Sequence, residues 1–195
     1  MAVQETAIRD FWRQFLRNEK ALFAAGGPDA ELGILIERVH PDLEIDIGPE
    51  ASGKRDVVIS AGGIREAFPA VEALAGGAPP LPRWNVIRYR QRHPLGARVM
   101  FQGLTLAPEN IRFEITRGEP GPGIVLWMPG YSRTEHSRYL ALALLALDAL
   151  LGEYDVEMKL GSIVIDSPTP GNGARGMTID RLAPVFDAAT DESRT

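Results

Sequence analysis

Along the first quarter of the chain, apolar positions recur with a helical period. Ile8, Phe11, Trp12, Phe15, Leu16, Leu22 and Phe23 follow i, i+3, i+4, i+7 spacing, which predicts an amphipathic helix over about 6–25. Gly26-Gly27-Pro28 closes it, since glycine suits a helix C-terminus and proline cannot continue one. A second helix starts near Pro28 or Asp29, carries Leu32, Leu35, Ile36 and Val39, and stops before Pro41. From Leu43 the period changes to two. Leu43, Ile45 and Ile47 alternate with Glu44 and Asp46, the mark of a half-buried strand. Gly48 to Gly53 supplies turn residues, and a second strand over Asp56 to Ser60 completes a hairpin.

A helix over about 64–74 has Ile64, Phe68, Val71 and Leu74 on one face, and the Gly/Pro-rich segment 76–82 is a connector. A strand is predicted over Trp84 to Arg92, with Ile87 and Tyr89 facing away from Arg88, Arg90 and Arg92. Between His93 and Asn110 the pattern is weak, with one short strand near Val99 to Phe101. Ile111 to Arg117 and Ile124 to Met128 flank Gly118-Glu119-Pro120-Gly121-Pro122-Gly123 as a second hairpin. A helix over about 133–151 ends at Gly152, and a last strand runs from Val156 to Ile165. Two hairpins among interspersed helices predict an α+β fold: a single mainly antiparallel sheet with its main helices on one face. The expected organisation is one domain over 1–166, then a Pro/Gly linker and short tail over 167–195, frayed from Thr190.

Composition narrows the classes of function. The chain has 195 residues, 21 Lys+Arg against 26 Asp+Glu, a net charge of −5 and no cysteine. Disulfides, cysteine nucleophiles and thiolate metal sites are excluded. An acidic balance gives no reason to expect nucleic acid, whose binding rests on phosphate neutralisation. The most apolar run, Tyr139 to Leu151, would span only about 20 Å as a helix, short of the roughly 30 Å hydrocarbon core. It reads as a buried helix, so no membrane partner is expected. The N-terminus lacks a basic stretch followed by an apolar one, and the expected location is the cytoplasm.

The stretches Phe11-Trp12-Arg13-Gln14-Phe15-Leu16-Arg17-Asn18-Glu19, His40 to Val71 around Val58-Ile59-Ser60-Ala61-Gly62-Gly63-Ile64, and Leu151-Gly152-Glu153-Tyr154-Asp155-Val156-Glu157 resemble a family of uncharacterised bacterial proteins. The similarity extends over most of the chain up to about Asp166. It implies a bacterial cytosolic protein and assigns no activity and no catalytic residue.

Motifs with chemistry are few. Gly171-x-Gly173-x-x-Gly176 matches a dinucleotide fingerprint in letters only. Pro168 and Pro170 separate it from the preceding strand and too little chain follows for a second one, so it reads as linker and no cofactor is expected. His40, His93 and His136 have no ligand spacing, and no metal is expected. Gly130-Tyr131-Ser132-Arg133-Thr134 lacks the second glycine of a nucleophile elbow and reads as a helix start.

Two patterns stand out against this background. If the strands turn their apolar faces to helices, the opposite face gathers Glu44, Asp46, Asp56, Arg88, Arg90, Arg92, Arg112, Glu114, Glu157 and Lys159. It is then either a self-paired, solvated surface or a site, with Arg88, Arg90, Arg92, Glu114 and Glu157 as the candidate binding face. Glu19 and Asp148 sit among apolar positions, where an ionised carboxylate needs a partner or a raised pKa. Each is a structural ion pair or a tuned acid.

The leading expectation is a non-enzymatic binding or interaction module. The alternative is a small hydrolase-like or transferase-like enzyme using Glu19, Asp148 and the arginines. A homo-oligomer is a third reading, because Val125 and Trp127 make the 124–128 strand apolar on both faces: it is either covered twice or set against another chain.

Overall fold

The computed structural model describes residues 2–96, 98–169 and 176–192. They fall into two compact units, residues 1–90 and 91–195, each with its own apolar core. The boundary lies inside the span expected as one domain. Both hairpins are present, but in different sheets. The expected single sheet is replaced by three, of three, two and four strands, although the α+β class holds. Two hairpin patterns cannot reveal whether they share a sheet, because each is written in local turn chemistry.

In the N-terminal unit, helices α1 (Ala2–Ala25) and α2 (Ala30–Val39) form where the apolar stripes predict them. Asp29 caps α2, its Oδ1 accepting a hydrogen bond from the Leu32 amide at 2.8 Å. Strands β1 (Glu44–Ile47) and β2 (Arg55–Ser60) pair antiparallel, with Ile45 opposite Ile59. A 3-10 turn at Arg65–Ala67 leads into α3 (Phe68–Gly76), which returns the chain to β3 (Trp84–Arg88), parallel to β2. Phe11, Phe15, Leu22, Leu32, Ile59 and Leu74 fill this core, and Trp12 donates its indole N–H to the Leu74 carbonyl at 2.8 Å.

Strand β3 stops four residues early. Tyr89 has a positive φ of 63°, which breaks the alternation, and its ring packs on Phe68 at 4.5 Å.

The C-terminal unit opens with the hairpin β4 (Val99–Phe101) and β5 (Leu104–Leu106), turned by Gln102 and Gly103 at φ 44° and 79°. Strands β6 (Arg112–Thr116) and β7 (Gly123–Trp127) form the predicted second hairpin. A 3-10 turn at Arg133–Glu135 precedes α4 (His136–Leu151). Gly152, at φ 81°, ends α4 and lets α5 (Glu153–Lys159) begin at once. The predicted last strand therefore shortens to β8 (Ser162–Asp166), parallel to β7. Val156 and Met158 have strand-like alternation, but Glu153 and Val156 are buried three apart and Lys159 pairs with Asp155 four apart, as a helix requires.

The segment expected as a tail is part of this core. β9 (Met177–Thr178) pairs with β6, and α6 (Leu182–Glu192) buries Leu182 and Phe186 completely. They pack with Phe113, Ile124, Leu126 and Leu147. β7 lies between β8 and β6 in the order β8-β7-β6-β9, with Ile124, Leu126 and Trp127 buried and Val125 half-buried. Trp127, on the second face, is 6% exposed and lies so close to Gly176 that a Cβ there would come within 2.6 Å of its ring. Of the Gly171-x-Gly173-x-x-Gly176 stretch, only Gly176 lies within the described residues. No helix among the described residues is long and apolar enough to cross a membrane.

Candidate functional site

The three arginines expected on one sheet face do not share one. Arg88 is the last residue of β3 and pairs with Glu72 at 3.1 Å, while the other Glu72 oxygen accepts from the Tyr89 hydroxyl at 2.9 Å. Arg90, beyond the strand, pairs with Glu44 and reaches Asp46 at 3.9 Å. Arg92 belongs to the C-terminal unit. The positive φ at Tyr89 is the physical reason, since period-two spacing places side chains on one face only while the backbone stays extended. Glu114 is exposed on β6, opposite Val125, and Glu157 lies on α5 instead of on a strand.

Glu19 is structural. Its carboxylate takes Arg83 on both oxygens, at 2.8 and 3.0 Å from one guanidinium nitrogen, and the Trp84 indole N–H at 2.9 Å. The Trp84 hydrogen bond, followed by the Arg83 bond and charge, outweighs burial and holds its pKa below the ordinary value. Arg83 in turn lies over the Phe23 ring, 4.1 Å from its centroid. Asp148 is half-buried where burial was expected, because the helix turns it away from the fully buried Leu147. The fully buried carboxylate is instead Glu153, at the start of α5. No buried side-chain nitrogen or oxygen among the described residues lacks a hydrogen-bond partner.

Arg92 does organise a site, though not on a sheet. Its Nε donates to the Leu151 carbonyl at 2.8 Å, satisfying one of the carbonyls that the end of α4 leaves open. Its two terminal nitrogens take both oxygens of Asp187 on α6 at 2.8 Å, and one also reaches Asp155 on α5 at 2.6 Å. Lys159 joins the cluster through Asp155 at 2.6 Å. One guanidinium thus ties three helices together. Hydrogen bonding to Asp187 strengthens its cationic form, and the same pairing holds the Asp187 carboxyl below its ordinary pKa. The next residue, His93, donates its backbone N–H to the Ala149 carbonyl at 2.6 Å, which holds the chain at the end of α4.

A groove of about 580 Å³ opens beside this anchor. Leu150 of α4, Ile179 and Ala183 form its apolar floor, while Pro94, Leu95 and Pro108 wall it. Arg92, His93, Glu109 and Asp180 supply its polar rim. Every lining residue belongs to the C-terminal unit. Glu109 also lines a second cavity of about 500 Å³ with Arg98, Thr105, Leu106, Ala107, Asn110 and Pro129. The first groove falls within the roughly 300–1,000 Å³ usual for small-molecule sites, and its mostly apolar lining with a few polar groups is the usual composition of one.

The groove leaves little trace in the sequence, because most of its residues come from the weakly patterned 93–110 stretch and from the segment expected as a tail. Its one signal was a cluster of proline and glycine, Pro94, Gly96 and Pro108, in a long connection, the kind of segment on which binding residues concentrate. Among the described residues no three His, Asp or Glu side chains come together as a metal site. His136 instead faces the Tyr131 hydroxyl at 3.1 Å, and His40 Nδ1 lies 3.3 Å from the Asp42 amide.

The fold and site together define an α+β chain of two compact units, one carrying an apolar groove with a charged rim. Compared with protein-family models, with curated proteins and with solved structures, the chain matches none of them.

Proposed function

We propose that the protein is a non-enzymatic binding module of the bacterial cytosol whose ligand is a small, largely apolar molecule held in the groove beside Arg92. The observation that carries this reading is the groove itself: an apolar floor of Leu150, Ile179 and Ala183 within a backbone frame tied down by Arg92 and His93. A preorganised concave surface binds without first ordering its own loops, which lowers the entropic cost of association. The cytosolic bacterial setting rests on the sequence resemblance. Weighing against an enzyme built on the candidate carboxylates, Glu19 commits both of its oxygens to Arg83 and Trp84.

Titration of the full chain with the neutral probe 2-naphthylmethanol, followed by ligand-observed NMR, tests the reading. Saturable binding is expected, weakened about tenfold or more when Ala183→Trp or Leu95→Trp fills the groove without lowering the melting temperature. Absence of saturable binding, or binding indifferent to both substitutions, overturns it.

A further inference from the structure

We infer that the ligand of this groove is an organic cation, an apolar body carrying a protonated amine; the inference rests on the groove being a binding site. The argument is charge complementarity at the rim. Arg92, the one arginine that lines the groove, already commits four of its five N–H donors. Its Nε is spent on the Leu151 carbonyl and its terminal nitrogens on Asp187 and Asp155. Arg92 and Lys159 together carry two positive charges, and Asp155 and Asp187 two negative ones, so this cluster is neutral as a set.

The remaining acids tip the balance. Glu109 and Asp180 are both exposed at the rim, and neither takes part in an ion pair within 4.0 Å among the described residues. Arg98 lies in the adjoining cavity that shares Glu109, yet it too forms no ion pair within that distance. His93 Nδ1 is turned to the Pro94 carbonyl. A carbonyl oxygen only accepts, so the 3.1 Å contact between His93 Nδ1 and the Pro94 carbonyl is made by an Nδ1–H. The groove therefore offers two carboxylates over an apolar floor, and an ammonium group on an apolar body complements both features. A carboxylate or phosphate ligand would meet two like charges and an arginine whose charge is already matched by Asp155 and Asp187. The chain's net charge of −5 adds a long-range field of the same sign.

Three naphthalene probes of matched shape separate this inference from the groove reading beneath it: 2-naphthylmethylamine, 2-naphthylmethanol and 2-naphthoate. Each is titrated into the full chain by calorimetry at pH 7 and low salt. The amine is expected to bind at least about tenfold tighter than the alcohol, and the naphthoate more weakly than both. The double variant Glu109→Gln, Asp180→Asn should bring the amine to within about twofold of the alcohol while leaving the alcohol unchanged. Both substitutions are at exposed positions, and an unchanged melting temperature verifies the fold. If amine and alcohol bind equally, if the naphthoate binds tightest, or if the double variant leaves the amine's advantage intact, the cation inference is overturned. The groove reading survives each of those results provided that Ala183→Trp abolishes binding of the alcohol. If no probe binds, or Ala183→Trp changes none of them, both fall together.

Discussion

At the scale of single residues, Glu19, Arg88, Arg90 and Arg92 are each held in an ion pair. Glu19 is legible as odd because it lies on the apolar stripe of α1, but its partners Arg83 and Trp84 are more than sixty residues away and leave no local trace. Its depressed pKa sets a direction. The carboxylate contributes stability that is present above its unfolded value, near 4.5, and is lost as pH falls through the lower folded-state value. Glu19→Gln is expected to cost about 1 kcal/mol at pH 7, with the gap to the parent closing below pH 4.5 in urea melts at stepped pH. Glu153, the fully buried acid, is hidden in the sequence by its place after Gly152, where the pattern marks only a helix end. Glycine carries a different kind of constraint at Gly121 and Gly161. A Cβ on Gly121 would fall 2.1 Å from the Lys159 carbonyl oxygen, and one on Gly161 would fall 2.3 Å from that of Gly121. Both neighbours are backbone and cannot rotate aside. Gly121→Ala and Gly161→Ala should each destabilise by about 1–3 kcal/mol or more, read as a lower melting temperature, whereas Gly27→Ala, with open space around it, should not.

At the scale of elements, the sequence is most readable where one pattern persists over many residues, as in α1, α2, the β1–β2 and β6–β7 hairpins, and α4. It misleads where a single backbone dihedral changes the direction of the chain. Tyr89 at φ 63° ends β3 early and disperses the arginines, yet tyrosine carries no turn signal. The β4–β5 hairpin escapes notice for a related reason: its two-residue turn is Gln102-Gly103, whereas the familiar signal for two positive φ values is Asn-Gly. Gln102→Asn should therefore stabilise the hairpin by about 0.5 kcal/mol and raise the protection of the Leu104–Leu106 amides in hydrogen exchange. The backbone carbonyl of residue 102, which accepts from Arg138 at 2.8 Å, is kept by the substitution, so a neutral or destabilising outcome would show that turn propensity does not limit this hairpin. The helix α5 is a third instance. Alternating Val156, Met158 and Leu160 satisfies a strand, and only the pairing of Asp155 with Lys159 and with Arg92 shows why the helix wins.

At the scale of the whole molecule, the division into two cores is invisible to composition and length, since 195 residues fit either one domain or two small ones. What decides it is where the last apolar residues go. Ile179, Leu182 and Phe186 resemble a short amphipathic tail, but they are among the most deeply buried side chains of the C-terminal unit. Phe186→Ala should cost about 3–5 kcal/mol, and hydrogen exchange by mass spectrometry should show protection lost across residues 91–192 while 2–90 keep theirs. Loss of protection spread evenly over both would mean that the two cores melt as one. The strand order of the C-terminal sheet has a consequence for synthesis. β1, β2 and β3 all lie within residues 44–88, so the N-terminal unit has every strand partner once Arg88 has emerged from the ribosome. β6, by contrast, waits for Met177 and Thr178, and the core behind it waits for Phe186. Domains generally complete in the order they are made. The nascent chain should thus acquire one finished unit early and hold the other open, with Phe113 and Leu126 uncovered, until α6 arrives. Ile179 and Ala183 come with that helix, so a chain cut short before them has no groove with which to bind anything.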